Sequence, residues 1–175
     1  MIRYGLILLI ICLCASLVLS LTYKVTQAKI EAQLTADEKT ALKGVFEGAT
    51  SFEDRTLDDK TYYVAKKDGQ DLGYITKVEA KGYSSTIVMM VGFDKNGTIE
   101  GVEVLNQQET PGLGAKIIEV KAGEKQPWFL RQFAGKKAED LNLKNIQAIT
   151  AATITSSAVI EAVKKSVEEF LARVK

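Results

Sequence analysis

From Tyr4 to Tyr23 the chain runs for 20 residues without a charge, through Leu6-Ile7-Leu8-Leu9-Ile10-Ile11 and Leu17-Val18-Leu19. A helix of that length, rising about 1.5 Å per residue, reaches about 30 Å, the thickness of a bilayer's hydrocarbon core. The pattern predicts a transmembrane helix. Arg3 and the amino terminus are expected inside and the remainder of the chain outside, because a long segment after a span is translocated largely regardless of its charge. A cleaved signal peptide is the competing reading, but the run is longer than the usual apolar region of such a signal and no small-x-small cleavage site follows it. Tyr4 and Tyr23 suit the interfacial belt at its two edges.

Beyond the apolar run the periodicity changes. Ala28 to Phe46 sets Ile30, Leu34, Ala41, Leu42, Val45 and Phe46 among charged residues, which predicts either an outward continuation of the first helix or a second helix. Strand patterns follow. Thr61 to Ala65 is β-branched and aromatic, Lys67-Asp68-Gly69 reads as a turn, and Gly73 to Ala80 alternates. Tyr83 to Phe93 contains the apolar run Ile87 to Val91, and Asp94-Lys95-Asn96-Gly97 is a hairpin signal leading into Thr98 to Leu105. Four sequential antiparallel strands are the simplest arrangement. The Met89-Met90 pair fits a buried strand, with a soft-metal or cofactor role as the alternative.

The region after the meander reads as a loop, 107 to 114, followed by a helix from Ala115 to Val120. Pro127 to Phe133 predicts a short helix opened by its proline and ended near Gly135. Asn145 to Ile149 resembles a last strand. From Ser157 to Val174, apolar residues at 159, 160, 163, 167, 170, 171 and 174 are spaced three and four apart, the mark of an amphipathic helix lying on a sheet. The fold class expected is α+β: a transmembrane helix followed by one domain with an antiparallel sheet flanked by helices. The expected boundaries are 1–24 for the anchor, 25–50 for a juxtamembrane helical region and 51–175 for the domain.

Composition narrows the chemistry. The chain has 175 residues, 23 basic against 22 acidic, and no histidine. Without histidine there is no Ser-His-Asp or Cys-His site and no zinc-protease constellation. The two cysteines, Cys12 and Cys14, fall inside the apolar run as small hydrophobes. The rest of the chain therefore lacks the ligands of zinc, iron–sulfur and haem centres of the usual kind. A net charge of +1 argues against nucleic acid as a partner. Any redox chemistry must come from a borrowed cofactor.

Two segments can carry such a cofactor. In Glu109-Thr110-Pro111-Gly112-Leu113-Gly114, the two glycines permit positive φ or close backbone approach and Pro111 stiffens the loop. It is either a backbone cradle for an anion or heterocycle, or an ordinary turn between elements. The second segment, Thr150-Ala151-Ala152-Thr153-Ile154-Thr155-Ser156-Ser157, lies just before the last helix. A helix start offers unpaired N–H groups and a positive dipole end to a phosphate, and hydroxyl side chains cap the same groups. Capping needs one hydroxyl, and this stretch has five.

Together the two segments resemble the FMN-binding domain shared by the RnfG component of the Rnf electron-transport complex and the NqrC component of the sodium-translocating NADH:quinone oxidoreductase. In that family a Ser/Thr-Gly-Ala-Thr motif carries the flavin on its last threonine through a phosphoester. The matching residues are Thr150-Ala151-Ala152-Thr153, and the resemblance implies Thr153 as the attachment point. It also implies that the loop holding Glu109, Thr110, Gly112, Leu113 and Gly114 lies against the flavin. Anchor, meander, glycine loop, Trp-Phe segment and motif follow the family's order along nearly the whole chain. Gln147 stands where the family usually has aspartate, and Ala151 where it has glycine. An alanine is accommodated at 151 provided its φ is negative, and noncovalent FMN is the alternative if Gln147 impairs loading.

What the resemblance implies is a membrane-anchored electron-transfer protein within a larger complex rather than an enzyme on its own. Its partners would be other membrane and peripheral subunits of an Rnf-type ferredoxin:NAD+ oxidoreductase complex, membrane lipid, and a flavin transferase that loads FMN from FAD. It would sit in the bacterial or archaeal cytoplasmic membrane as a single-pass protein with its domain on the extracytoplasmic side. The competing readings are an NqrC-like component of the quinone oxidoreductase, a non-redox anchored module for some phosphate ligand, and an assembly protein of an envelope complex.

Overall fold

A computed structural model describes the backbone of residues 2–58 and 60–174, with the side chains of 3–23, 26–27, 37–58 and 60–174. The chain forms two compact units, 1–38 and 39–175. Helix α1 spans Ile2–Val45 without a break, so the second of the two helical expectations gives way to continuation. The side chains of Ile30 and Leu34, expected on its apolar positions, lie outside the described residues. Within unit 1, Arg3–Tyr23 is long and apolar enough to cross a membrane. Leu6, Leu9, Leu13 and Leu17 are each more than half exposed, and Cys12 and Cys14 are free thiols on the same exposed helix.

Unit 2 is built on a five-stranded antiparallel meander: β1 (Ser51–Leu57), β2 (Lys60–Lys67), β3 (Gln70–Lys81), β4 (Thr86–Asp94) and β5 (Ile99–Asn106), in that spatial order. The strand absent from the expectation is β1. Its sequence, Ser-Phe-Glu-Asp-Arg-Thr-Leu, is largely exposed, because an edge strand with charged side chains avoids pairing with other chains and so loses the apolar alternation that would announce it. The two expected turns form. Asp68 and Gly69 both have positive φ, 51° and 80°, as a tight two-residue hairpin demands. In the second turn, Asp94 Oδ1 accepts the N–H groups of Asn96 at 2.8 Å and Thr98 at 2.7 Å, and Gly97 takes φ 82°.

The sheet buries both faces. On one lies α2 (Thr153–Val174), its Val159, Ile160, Val163, Val167 and Phe170 packed on Val78, Ile87, Met89, Val91, Phe93 and Ile99. Phe170 meets the rings of Tyr62, Tyr74 and Phe93 at centroid distances of 5.0, 5.0 and 5.4 Å, a favourable tilted geometry. On the other face the last residues of α1 and the next, Ala41, Leu42, Val45 and Phe46, cover Ala65, Ile75 and Met90. Met89 and Met90 therefore point to opposite faces and both are fully buried. That accounts for the unbroken apolar run in β4 and leaves the pair in the core.

Two 3-10 turns, Gly114–Ile118 and Leu130–Phe133, stand where helices were expected over 115–120 and 127–133, and a third, Ala138–Asp140, follows them. Asn145 to Ile149 is not a strand. Ile146 and Ile149 are buried three residues apart, and the backbone bonds locally, with the Ile146 N–H on the Asn142 carbonyl at 3.0 Å. An i, i+3 spacing on one buried side belongs to a turn, whereas a strand alternates with period two.

The contact of α1 with the sheet depends on small residues. A Cβ on Gly92 would stand 2.2 Å from Val45 Cγ1, and one on Gly101 would stand 2.8 Å from the Val45 carbonyl oxygen. Gly92→Ala is expected to lower the stability of unit 2 by about 1–3 kcal/mol, the usual cost of overpacking, seen as a reduced thermal midpoint of the full chain by circular dichroism.

Candidate functional site

The turn Gly82–Ser85 between β3 and β4, the loop after β5 and the first turn of α2 enclose a cavity of about 440 Å3, lined by Tyr83, Glu109, Thr110, Leu113, Gly114 and Ala151 to Thr155. That volume lies in the range of small-molecule and cofactor sites. Tyr83, Leu113 and Ile154 stand around it 72%, 41% and 59% exposed. Among the described residues outside the apolar helix seven large hydrophobics are exposed, and three of them meet at this one cavity, a surface suited to an apolar ligand face.

The walls are tied together by Glu109. Its side chain is buried, and its carboxylate accepts hydrogen bonds from the N–H groups of Tyr83 (3.2 Å), Ser84 (3.0 Å) and Ser85 (2.8 Å), from Ser85 Oγ (3.0 Å) and from Thr155 Oγ1 (2.7 Å). Close backbone approach makes room for it. A Cβ on Gly82 would lie 2.5 Å from Glu109 Oε1, and one on Gly114 would lie 2.6 Å from Oε2 and 2.9 Å from Thr155 Oγ1. The glycines of the loop thus divide their work: Gly112 supplies the positive φ, 76°, and Gly114 the close packing. Burial pushes the Glu109 carboxyl up, but the bonds from Thr155, Ser85 and Ser84 outweigh it and hold the group below the ordinary carboxylate range.

At the start of α2 the hydroxyls are sorted. Thr155 and Ser156 are buried. Thr155 is engaged by Glu109, while Ser156 Oγ accepts the Ile149 N–H at 3.0 Å and donates to the Ala152 carbonyl at 2.9 Å. Ser157 is half-buried, and Thr153 is exposed, on the cavity wall. Of the residues expected at the site, Glu109, Thr110, Leu113, Gly114, Ala151, Ala152 and Thr153 are brought together; Gly112 and Thr150 are not among the lining residues.

Ala151 departs from expectation. Its φ is +62°, in the left-handed region that costs a residue with a Cβ roughly 1–2 kcal/mol, so the negative φ assumed for an alanine here is not what the turn adopts. Gln147 is exposed and away from the cavity lining. Its main chain is gripped by Gln132, whose Oε1 accepts the Gln147 N–H at 2.8 Å and whose Nε2 donates to the Gln147 carbonyl at 3.2 Å. The pattern along the chain missed Tyr83, Ser84, Ser85 and Ile154. Gly82-Tyr83-Ser84-Ser85 carries a turn composition that was available as a signal, but the apolar residues after it extend the apparent strand back to Tyr83.

Comparison with known proteins places these features in a class. Residues 82–168 match the FMN-binding domain family and residues 1–45 the RnfG N-terminal region. The NqrC protein of the Na+-translocating NADH-quinone reductase from Parabacteroides distasonis superposes with a TM-score of 0.51 at 26% identity, covering 66% of this chain and 63% of that one, just under two thirds of its length. Shewanella oneidensis NqrC shares the fold, with a TM-score of 0.51 at 19% identity over 73% of each chain. More specific are the sequence relatives. The RnfG counterpart in the proton-translocating ferredoxin:NAD+ oxidoreductase complex of Clostridium ljungdahlii is 30% identical, covering 93% of this chain and 87% of that protein. Its equivalent in the Na+-translocating complex of Acetobacterium woodii is 31% identical over 96% and 90%. The chain belongs to the RnfG family of ion-translocating ferredoxin:NAD+ oxidoreductase complexes.

Two outcomes follow from the geometry. Glu109→Gln sets an amide against three N–H groups and is expected to cost about 2–3 kcal/mol. Because the folded-state value of Glu109 is depressed, its contribution is complete above the unfolded carboxyl's ordinary value and is lost as pH falls through the lower folded value. Urea denaturation of wild type and E109Q should therefore differ most above about pH 5 and converge at lower pH. Ala151→Gly is expected to raise stability by about 1 kcal/mol, read in the same denaturation experiment, since it relieves the left-handed strain.

Proposed function

We propose that this chain is the membrane-anchored flavoprotein of an Rnf-type complex and carries electrons through an FMN joined to Thr153 by a phosphoester. The sorting of hydroxyls at the start of α2 carries this reading. Thr155 and Ser156 are spent on internal hydrogen bonds, whereas Thr153 faces the cavity and is open to modification. The apolar ring of Tyr83, Leu113 and Ile154 supplies contacts for an aromatic heterocycle. When bound, FMN supplies the redox chemistry, taking up two electrons and giving them back one at a time. The chain's residues hold the group, shield it from water on the cavity side and fix its distance from the fold.

Charge supports a covalent link over simple binding. Among the described residues no lysine or arginine lines the cavity, and one wall contains a carboxylate. A free phosphate monoester carries about two negative charges at neutral pH, and here only the dipole end of α2 would attract it. Esterification to Thr153 leaves one charge and removes dissociation as a route of loss. A flavin transferase would join the exposed hydroxyl oxygen to the FMN phosphorus of FAD, breaking the pyrophosphate bond and releasing AMP and the hydroxyl proton. The three-part division into an anchor at 1–24, a helical spacer at 25–50 and a flavin domain at 51–175 belongs to the same proposal, as do a single span, an inside amino terminus, an extracytoplasmic domain and contacts with lipid and the other subunits. The match of residues 1–45 to the RnfG N-terminal region favours this complex over the quinone oxidoreductase.

Intact-mass measurement of the full chain from a host with flavin transferase should find the protein plus FMN less one water. Thr153→Ala should abolish both this increment and flavin fluorescence of the denatured chain in a gel. Fluorescence persisting on denatured T153A would sink the assignment, and FMN released on denaturing the wild type would show noncovalent binding instead.

A further inference from the structure

Among the described residues Glu109 is an anion without a cation. It is buried, its five hydrogen-bond partners are neutral N–H and O–H groups, and no ion pair among the described residues includes it. Neutral donors stabilise a carboxylate without cancelling its charge. A buried carboxylate is screened less by solvent and salt than a surface charge, and this one lies in the wall of the cavity. The fold gives up two Cβ atoms, at Gly82 and Gly114, to keep the carboxylate there.

An electron added to a bound group without a proton adds one unit of negative charge to the cavity. With no lysine or arginine among the described residues of the lining to offset it, a fixed negative charge in the wall opposes that addition. We propose that Glu109 sets the reduction potential of this site, its negative charge lowering the potential of a flavin held in the cavity and making the reduced carrier a stronger electron donor. The proposal rests on the FMN reading above. It assigns Glu109 an electrostatic role beyond the clamp, since tying three segments together requires acceptors but the charge acts on the cavity regardless.

The test is spectroelectrochemical titration of the full chain loaded with FMN, with FMN per chain measured on the same samples by mass. Glu109→Gln, which keeps the shape and removes the charge, should favour reduction at least tenfold, about 30 mV for a two-electron couple. Glu109→Asp distorts the clamp but keeps the charge and should remain well below E109Q in potential. Thr155→Val keeps the charge and removes one donor to it, so its potential should fall; it also serves if E109Q does not hold flavin. An unchanged potential in E109Q, a rise in E109D equal to that in E109Q, or a rise in T155V overturns the proposal. A loaded wild type with any of these outcomes leaves the FMN reading standing, whereas a wild-type chain devoid of FMN overturns both.

Discussion

Three segments that are far apart in the chain, the 82–85 turn, the 107–114 loop and the first turn of α2, meet on the carboxylate of Glu109. The turn and the helix bring donors, so the loop must answer with a group that has acceptors only. A carboxylate is the one protein side chain of that length that satisfies this when ionised. The cavity exists because this junction forms: Tyr83, Leu113 and Ile154 become neighbours only when their three segments are pinned. Gly82 and Gly114 are required for the same reason, since side chains there would occupy the space of the carboxylate.

The scaffold beneath explains why the junction can be precise. The meander pairs β3 with β4 in one register and β4 with β5 through two bulges, which fixes both the turn before β4 and the loop after β5. Helix α2 lies across the same sheet with its aromatic anchor, Phe170, at the opposite end from Thr153. The helix is thus secured at both ends, by Phe170 in the aromatic cluster and by the buried Thr155 and Ser156 of its first turn, which leaves Thr153 exposed beside them. Ser156 completes the arrangement by bridging the main chain at 149 and 152. This braces a turn whose Ala151 sits in an unfavourable conformation.

Much of the fold can be read from the chain. The apolar run, the hairpins at 68–69 and 94–97, and the spacing of Val159, Ile160, Val163, Val167 and Phe170 each report a local rule, and each formed. The failures share a cause. β1 is an edge strand whose exposed charges erase its alternation, and the Ile146–Ile149 pair buries itself from a turn rather than a strand. At the site, the two segments were visible as a glycine loop and a hydroxyl cluster, but the roles within them were not. Five hydroxyls within eight residues look equivalent until the packing of α2 separates those that face inward from those that do not.

Composition and short-range order are enough to set the class of chemistry. The absence of histidine, the confinement of both cysteines to an apolar helix, and a hydroxyl-rich helix start beside a glycine loop are all properties of that kind. Four further facts needed the packed fold: Glu109 is a buried clamp, Gly112 and Gly114 do different jobs, Ala151 bears a positive φ, and Thr153 is an exposed hydroxyl on the cavity wall. The burial of Glu109 and the close packing at Gly114 depend on which groups meet across dozens of intervening residues. Hydrogen bonding and burial at such meetings are set by the packing of the sheet and α2, and no local pattern encodes them.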